Sequence, residues 1–284
     1  MKHFALCINP SFSDKQRIYH LLETLQEGSD IQYYSANFHQ DMLPAIVQPL
    51  PENLQNTPID CILVFGGDGT ILRAKQLALD TGAPILGINL GYLGFLSESV
   101  LPEIASSLQN LKRGKYRLLN RMLINCQLRR KGKIVFEGLA LNDAVIYKAG
   151  SPSLIHVRIK ASNRYVFDTR CDGVIACTPT GSTAYSLSTG GPILAPEMKA
   201  MVLSPVNPHI LSIRPMVFPD TERLVMKVYG LNQPAELQID GENSAPIEEG
   251  DEVVVTASER SVSFIKLSNR TFYQILRNKL HLGK

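Results

Sequence analysis

The sequence predicts two domains, an α/β domain at the N-terminus and a mainly antiparallel all-β domain after it. Up to about residue 115, runs typical of strands alternate with runs typical of helices. From about residue 118 to residue 267, apolar residues recur mostly with a period of two. The last residues return to helical spacing. A chain of 284 residues is long enough for two modest domains with real cores.

The first domain is predicted to alternate strands with helices. The run "CILVF" (residues 61–65) is uninterrupted by polar residues, as expected for a strand buried on both faces. Further strands are predicted for "HFALCI" (3–8) and "APILGIN" (83–89), and helices for residues 13–28, 70–82 and 102–114. This alternation indicates a parallel sheet wrapped by helices.

Helix ends in this domain carry specific residues. Ser13 and Gln16 form a plausible capping box for the first helix, and Thr70 can cap the second. Pro102 is expected at the start of the third helix. Glycines are expected to end the three helices, at Gly28, Gly82 and Gly114.

The second domain shows strand alternation. In "SLIHVRIKA" (153–161), apolar residues at 155, 157 and 159 alternate with His156, Arg158 and Lys160, so one face meets solvent. Similar runs are "ERLVMKVYG" (222–230), "AELQID" (235–240), "DEVVVTAS" (251–258) and "VSFIKLS" (262–268). The tail "TFYQILRNKL" (271–280) is expected to be a helix that packs back onto the first domain. We therefore place the domains at 1–117, completed by 268–284, and at 118–267.

Composition excludes several classes of protein. Apolar content of 44%, charged content of 19% and a net charge of +3 do not indicate a nucleic-acid or membrane partner. The basic residues Arg129, Arg130, Lys131 and Lys133 surround Gly132 and are typical of a solvated hairpin tip. Five scattered cysteines without a CxxC pair favour reduced, mostly buried thiols in a cytoplasmic protein. No apolar stretch approaches the roughly 20 residues that span a bilayer, and the first strand is too short for a signal-peptide core.

The first stretch that could carry chemistry is the turn "FGGDGT", between a strand and a helix. Gly66, Gly67 and Gly69 let the backbone approach a ligand, and the start of the helix favours an anion. Asp68 is unusual in such a turn. It either stabilises the positive end of the helix, which is worth roughly 0.3–1 kcal/mol, or acts on a ligand.

Two polar pairs sit between strand-like runs. Asn142 and Asp143 form either a common turn or a set of acceptors for a vicinal diol such as a ribose. Asp240 and Gly241 form a strong hairpin-turn dipeptide.

Residues 169–194, "TRCDGVIACTPTGSTAYSLSTGGPIL", combine the strand "GVIAC" (173–177), a turn and a short helix that starts near Ser182 or Thr183. Hydroxyl groups gather at the helix start, on Thr180, Ser182, Thr183, Tyr185 and Ser186. Capping uses one or two hydroxyls, so five exceed the structural need and suit a nucleotide or its phosphates. No HExxH or GxSxG motif supports a zinc or serine hydrolase, and His209 is expected at the surface.

Taken together, these stretches resemble the NAD kinase family. That family's GGDGT lies at residues 66–70, its Asn-Glu pair at Asn142-Asp143, and its late Asp-Gly at 240–241. Its "DGxxxxTPTGSTAYSLSxGGP" block lies at residues 172–192 and is the specific match. GGDGT alone is shared with phosphofructokinases and with diacylglycerol and sphingosine kinases. The resemblance implies a Rossmann-like, phosphofructokinase-like α/β domain followed by a β-sandwich domain that binds NAD.

The resemblance also implies ATP-dependent phosphorylation of the adenosine-ribose 2′-hydroxyl of NAD, with Asp68 as proton acceptor. Asn142 and Asp143 would hold the adenosine ribose, and Arg170 and Asp172 would face the nicotinamide half, often across a subunit boundary. Substrate contacts are further implied for Gly66, Gly67, Gly69, Thr70, Arg73, Thr183, Ala184, Tyr185, Ser186, Leu187, Ser188 and Glu242. A divalent metal, Mg²⁺ by preference, would accompany ATP, and the protein would be a homodimer or homotetramer.

This sequence departs from the family pattern at three positions. Asp143 replaces the usual Glu, Glu242 stands where Gln is common, and Tyr92 takes the place of a His. None removes a group that phosphoryl transfer requires, since a ribose hydroxyl needs a carboxylate to accept its proton. Two alternatives stay open on the sequence: a lipid kinase that shares GGDGT, and a non-catalytic NAD-binding regulatory module.

Overall fold

The computed structural model describes residues 1–35, 44–51, 54, 58–91, 94–150, 154–230 and 234–282, and Tyr92 lies outside them. The chain divides into two compact units: Met1–Asn120 with Val262–Lys284, and Arg121–Ser261. The units change over inside two long strands, Arg117–Arg130 and Glu252–Lys266. The boundaries predicted from the sequence, 117/118 and 267/268, lie a few residues away from these positions. No turn residue marks either change, because each lies inside a continuous strand.

The first unit is built on a parallel sheet. Its elements, labelled in chain order, are β1 (His3–Ile8), α1 (Lys15–Gln26), β2 (Gln32–Ser35), β3 (Val47–Pro49), β4 (Cys61–Phe65), α2 (Asp68–Thr81), β5 (Ile85–Asn89), β6 (Ser99–Val100) and α3 (Ile104–Lys112). The strands pair in the order β3-β2-β1-β4-β5, all parallel, and β6 pairs with β5. Every residue of β4 and β5 is buried, which confirms the predicted parallel sheet.

Two predicted helix starts are wrong. Helix α1 is capped by Asp14, whose Oδ1 accepts from the N–H of Arg17 at 3.2 Å, so Ser13 lies one residue too early to cap it. Helix α2 begins at Asp68 with Gly67 at the cap position, and Thr70 lies buried inside its first turn. The glycine turn therefore leads directly into the helix.

The second unit contains two antiparallel sets of strands. Its elements, of which the first and the last extend into the first unit, are β7 (Arg117–Arg130), β8 (Lys133–Ala140), β9 (Asp143–Lys148), β10 (Ile155–Ala161), β11 (Arg164–Cys171), β12 (Gly173–Cys177), α4 (Tyr185–Ser188), β13 (Ala200–Val206), β14 (Met216–Pro219), β15 (Leu224–Tyr229), β16 (Ala235–Ile239), β17 (Asn243–Ile247) and β18 (Glu252–Lys266). One set runs β11-β10-β15-β18 with the β7–β8 hairpin, and the other runs β14-β13-β12-β9-β16-β17. Buried residues of both sets form one core, including Val157, Val174, Leu203, Leu237 and Val253, as in a β-sandwich.

Several local predictions for this unit are confirmed. Residues 155, 157 and 159 of β10 are buried, whereas Arg158 and Lys160 are exposed. The β7–β8 hairpin turns at Lys131 and Gly132, both at positive φ. All five cysteines are free and buried. The runs 251–258 and 262–268, predicted as two strands, form the single strand β18, because the polar residues between them stay extended and exposed.

The chain ends in α5 (Phe272–Leu280), which belongs to the first unit. Thr271 and Gln274 form a capping box at its start. Among the described residues, no helix is long and apolar enough to cross a membrane.

Candidate functional site

The Asp68 carboxylate is held by main-chain donors from a distant segment of the first unit. Its Oδ2 accepts from the N–H of Phe95 at 2.9 Å, and its Oδ1 accepts from the N–H of Leu96 at 3.1 Å. An ionised carboxylate has about four acceptor positions, so each oxygen keeps room for a further donor. Asp68 is thus half-buried, oriented and able to accept a hydrogen bond from a ligand.

The glycines beside Asp68 serve two purposes. A Cβ on Gly66 would lie 2.3 Å from Oγ1 of Thr70, so Gly66 is needed for packing inside the turn. Gly67 and Gly69 are exposed, and among the described residues no atom lies within 4 Å of a Cβ built on either. Their open main chain is where a ligand can come close. Arg73 is exposed on the next turn of α2.

In the second unit, the Leu141–Asp143 turn is held from two sides. The Asp240 carboxylate accepts from the N–H groups of Leu141 at 2.8 Å, Asn142 at 2.8 Å and Asp143 at 3.1 Å. Thr178 donates its N–H to the Asn142 carbonyl at 2.9 Å and its hydroxyl to the Leu141 carbonyl at 2.5 Å. The Asn142-Asp143 pair is therefore more than a simple turn, because its main chain is fixed by partners far away in the sequence.

Close packing adds to this arrangement. A Cβ on Gly181 would lie 2.1 Å from the main-chain oxygen of Asn142, so only glycine fits there. Asp240 and Gly241 both have positive φ and form the tight turn between β16 and β17, as predicted. Glu242 follows in the same turn and is exposed.

Asp143 has an unusual environment for a carboxyl group. Burial, followed by repulsion from the negative charge of Asp240, raises the pKa of Asp143 to about 7. Asn142 beside it is half-buried. Near neutral pH the pair can therefore offer either a carboxylate or a carboxylic acid next to an amide.

Several hydroxyls of the hydroxyl-rich block form hydrogen bonds within the second unit. Ser182 donates to the Pro179 carbonyl at 2.6 Å and accepts from the N–H of Leu194 at 3.0 Å. The Ser186 hydroxyl bonds that of Ser204 at 2.8 Å, and Thr183 donates to the Thr180 carbonyl at 3.3 Å. Three of the five hydroxyls thus bond within the fold, and contact of the block with a nucleotide stays a prediction. Tyr185 and Ser188 are exposed.

Thr178 and Thr180 allow a matched prediction on stability. The Thr178 hydroxyl has partners at the Leu141 carbonyl and the Gly181 N–H, whereas the buried Thr180 hydroxyl has no partner among the described residues. We expect Thr178→Val to lower the free energy of unfolding by about 1–3 kcal/mol, because it leaves buried groups unpaired. Thr180→Val should be neutral or stabilising. Denaturant unfolding of both variants checks this, and equal losses would contradict it.

Asp172 is engaged by neighbours of its own unit. It pairs with Nζ of Lys148 at 2.6 Å and accepts from Nδ2 of Asn207 at 2.9 Å. These contacts, the lysine first, lower the pKa of Asp172. Asp172 lines a cavity of about 630 Å³ together with His209 and Arg214. His209 is exposed, as predicted, and its N–H bonds the carbonyl of the exposed Arg170.

Sequence reasoning missed the residues that support the predicted ones. They are Gly94, Phe95 and Leu96 around Asp68, and Thr178 and Gly181 around Asn142. The available signal was the glycine in "GYLGF" and in "TPTGS". In the structure neither Gly94 nor Gly181 has positive φ, so each is needed for its small size and not for conformational freedom. Among the described residues, no group of three or more His, Cys, Asp or Glu side chains could hold a metal ion.

Comparison with known proteins defines the class of protein. The structure resembles yeast NADH kinase complexed with NADH, with a TM-score of 0.85 and 26% identity over 99% of this chain and 87% of that one. It shares its fold with an NAD kinase from Archaeoglobus fulgidus in complex with ATP, with a TM-score of 0.75 and 24% identity over 98% of each chain. These similarities extend over nearly the whole chain and support the predicted α/β domain followed by a β-sandwich.

Sequence comparison gives the family. The model of the ATP-NAD kinase N-terminal domain matches residues 19–116, and that of the C-terminal domain matches residues 141–267. The NAD kinase of Koribacter versatilis is 35% identical over 100% of this chain and 99% of its own. That of Desulforamulus reducens is 40% identical over 78% of this chain and 77% of its own. The chain belongs to the NAD kinase family, whose members are phosphotransferases, and neither the lipid kinase nor the regulatory module is favoured.

Proposed function

We propose that Asp68 is the proton acceptor when this chain phosphorylates the adenosine-ribose 2′-hydroxyl of NAD with ATP. One observation carries the proposal: a carboxylate oriented by two main-chain donors, between glycines whose main chain is open to a ligand. In the step, the 2′-oxygen forms a bond to the γ-phosphorus of ATP as the bond to the bridging β,γ-oxygen breaks. The hydroxyl proton passes to an Asp68 oxygen, and ADP leaves.

The second unit supplies the binding residues in this proposal. Asn142 and Asp143 hold the adenosine ribose, since their fixed main chain presents an amide and a carboxyl group side by side. Tyr185 and Ser188 contact the adenosine through their exposed side chains. The half-buried Thr183, Ala184 and Leu187 contribute main-chain or apolar surface, and the buried Ser186 supports them through its hydrogen bond with Ser204. Glu242 is exposed in the β16–β17 turn and provides a further polar contact.

The metal is proposed to arrive with ATP. Mg²⁺ is usually bound through substrate phosphates and one or two carboxylates and keeps several waters. The described residues lack a set of three ligands, which suits an ion held mainly by the nucleotide rather than by a protein cage. When bound, the ion would neutralise charge on the phosphates, and the chain's own part is to orient the hydroxyl and accept its proton.

An oligomer is proposed from exposed apolar residues of the second unit. Leu211 is 84% exposed and Ile210 47%, and Met216 and Val217 are also exposed. We propose that a second copy of this chain covers them, in a homodimer or homotetramer, and that Arg170 and Asp172 meet the nicotinamide half near that boundary. The five free, buried thiols support a cytoplasmic location.

The oligomer is tested by Leu211→Glu. The substitution places a charge on the proposed contact surface, so we expect the mass measured by light scattering to fall toward that of a single chain of 31.4 kDa. Tyr273→Glu is the matched control, since Tyr273 is 66% exposed on α5 of the other unit. An unchanged mass for Leu211→Glu would contradict the proposed surface.

The activity is tested with the purified protein, ATP, Mg²⁺ and NAD, by an NADP-specific enzymatic assay. We expect NADP and ADP in equal amounts. Diacylglycerol and sphingosine, offered in place of NAD, should give no phosphorylated product. NAD binding without any NADP would contradict the proposed reaction.

A further inference from the structure

We propose that Gly94 is a positioning residue for Asp68: its lack of a side chain lets the Gly94–Leu96 segment set the direction of the carboxylate. The inference rests on the proposed function of Asp68, and it adds residues from a part of the chain to which no role has been given. Phe95 and Leu96 act through their main-chain N–H groups, 27 and 28 residues away from Asp68. Their side chains are therefore not what holds Asp68.

The carboxylate itself occupies the space beside Gly94. A Cβ built on Gly94 would lie 2.0 Å from Oδ1 of Asp68, 2.7 Å from its Cγ and 2.9 Å from its Oδ2. These are the three nearest atoms, so the group that must move to admit a methyl is the proposed proton acceptor. Gly94 does not have positive φ, so its main-chain conformation suits any residue. Small size, and not conformational freedom, is what this position requires.

The segment that carries Gly94 is fixed on the sheet. The N–H of Gly94 donates to the Ser97 hydroxyl at 2.7 Å, and Nδ2 of Asn89 lies 3.4 Å from the same oxygen. The N–H of Glu98 donates to the carbonyl of Gly87, inside β5, at 2.9 Å. Both donors to Asp68 are thus attached to a buried strand, and they cannot follow the carboxylate if it is displaced.

This geometry has a consequence for the reaction. The two N–H groups occupy one acceptor position on each oxygen, on the side of the Gly94–Leu96 segment. The 2′-hydroxyl must use the remaining positions, whose direction is set by the same hydrogen bonds. A rotated carboxylate would still be present, but it would no longer point at the hydroxyl. Misplacement by about 1 Å can slow an enzyme by about 10²-fold.

The first test is kinetic. We expect Gly94→Ala to lower kcat by about 10- to 100-fold while the KM for NAD stays within about threefold, because orientation is lost and binding groups are kept. Gly91→Ala is the matched control. It lies in the same connection after β5, and within the part of the chain that the structure describes a Cβ there would have only Asn89 Oδ1 nearby, at 4.0 Å. Equal kcat values for Gly94→Ala and Gly91→Ala would overturn the proposal.

The second test needs no activity. Gly94→Ala should lower the thermal midpoint in the normal chain but not in an Asp68→Ala background, where the carboxylate that it meets is gone. If Gly94→Ala alone does not fold, the double variant should fold. An equal loss in both backgrounds would overturn the proposal, since the added methyl would then meet something else. If the unaltered protein makes no NADP, the proposed function fails, whereas this stability cycle still decides what Gly94 contacts.

Discussion

Replacing Asp68 by asparagine is expected to lower kcat for NADP formation by at least about 10²-fold. An amide cannot accept the proton of the ribose hydroxyl, and such a base contributes about 10²–10⁴-fold to a rate. The structure adds a second effect. An asparagine has one acceptor oxygen, so its NH₂ group would face the N–H of Phe95 or Leu96 and leave that donor unpaired.

The unpaired donor should also lower the free energy of unfolding, by about 1–3 kcal/mol. The variant is therefore measured twice, by steady-state kinetics under saturating NAD and ATP and by denaturant unfolding. Asp80→Asn is the control, since Asp80 is exposed at the far end of the same helix. Near-normal kcat in a folded Asp68→Asn protein would refute the assignment of Asp68 as the proton acceptor.

Asp143→Asn is expected to make the folded protein more stable at pH 8. Because the pKa of Asp143 is raised to about 7, the folded state holds this proton more tightly than the unfolded state does. Ionisation therefore costs stability, and this loss grows as the pH rises from the unfolded pKa of about 4 to the folded pKa, then stays constant. Three pKa units correspond to about 4 kcal/mol as an upper limit.

The measurement is denaturant unfolding of both proteins at pH 5 and pH 8. The stability gain of Asp143→Asn should be larger at pH 8, because the neutral amide avoids burial of a charge beside Asp240. Asp172→Asn should instead lower the free energy of unfolding, by the same amount at pH 5 and at pH 8. The pKa of Asp172 is lowered, so the contribution of its ionised form is fully present above the unfolded pKa of about 4 and is lost as the pH falls below it. A gain for Asp143→Asn that shrank with rising pH would contradict the burial argument.

The same substitution should weaken NAD binding. If Asp143 holds the adenosine ribose, an amide offers one acceptor where the carboxylate offers two oxygens. Residue 143 thus stands at a position where stability and function oppose each other, which is common at binding sites. The Asp143 side chain is shorter than the Glu usual in the family. It projects from the Leu141–Asp143 turn, whose main chain Asp240 and Thr178 hold by hydrogen bonds.

Local patterns were sufficient to predict several strands and the fold class. The strands at 3–8, 61–65 and 173–177 begin and end where the sequence predicted, because their apolar runs stop sharply at polar or glycine residues. Helix starts were less predictable. Asp14 displaced Ser13 as the cap, and Gly67 displaced Thr70, because several neighbouring residues can cap a helix and packing of the whole turn selects one.

The sequence by itself determined the family, the parallel and antiparallel halves of the chain and the residues proposed to react, because these depend on short motifs and on periodicity. Only the tertiary structure showed what holds those residues. Asp68 depends on donors 27 and 28 residues away, and Asp143 lies beside a carboxylate 97 residues away. Hydrogen bonds, burial and charge repulsion at such separations exist only after the chain has folded. For that reason the "FGGDGT" motif indicated a carboxylate in the turn but not the glycine at position 94, whose lack of a side chain leaves room for that carboxylate.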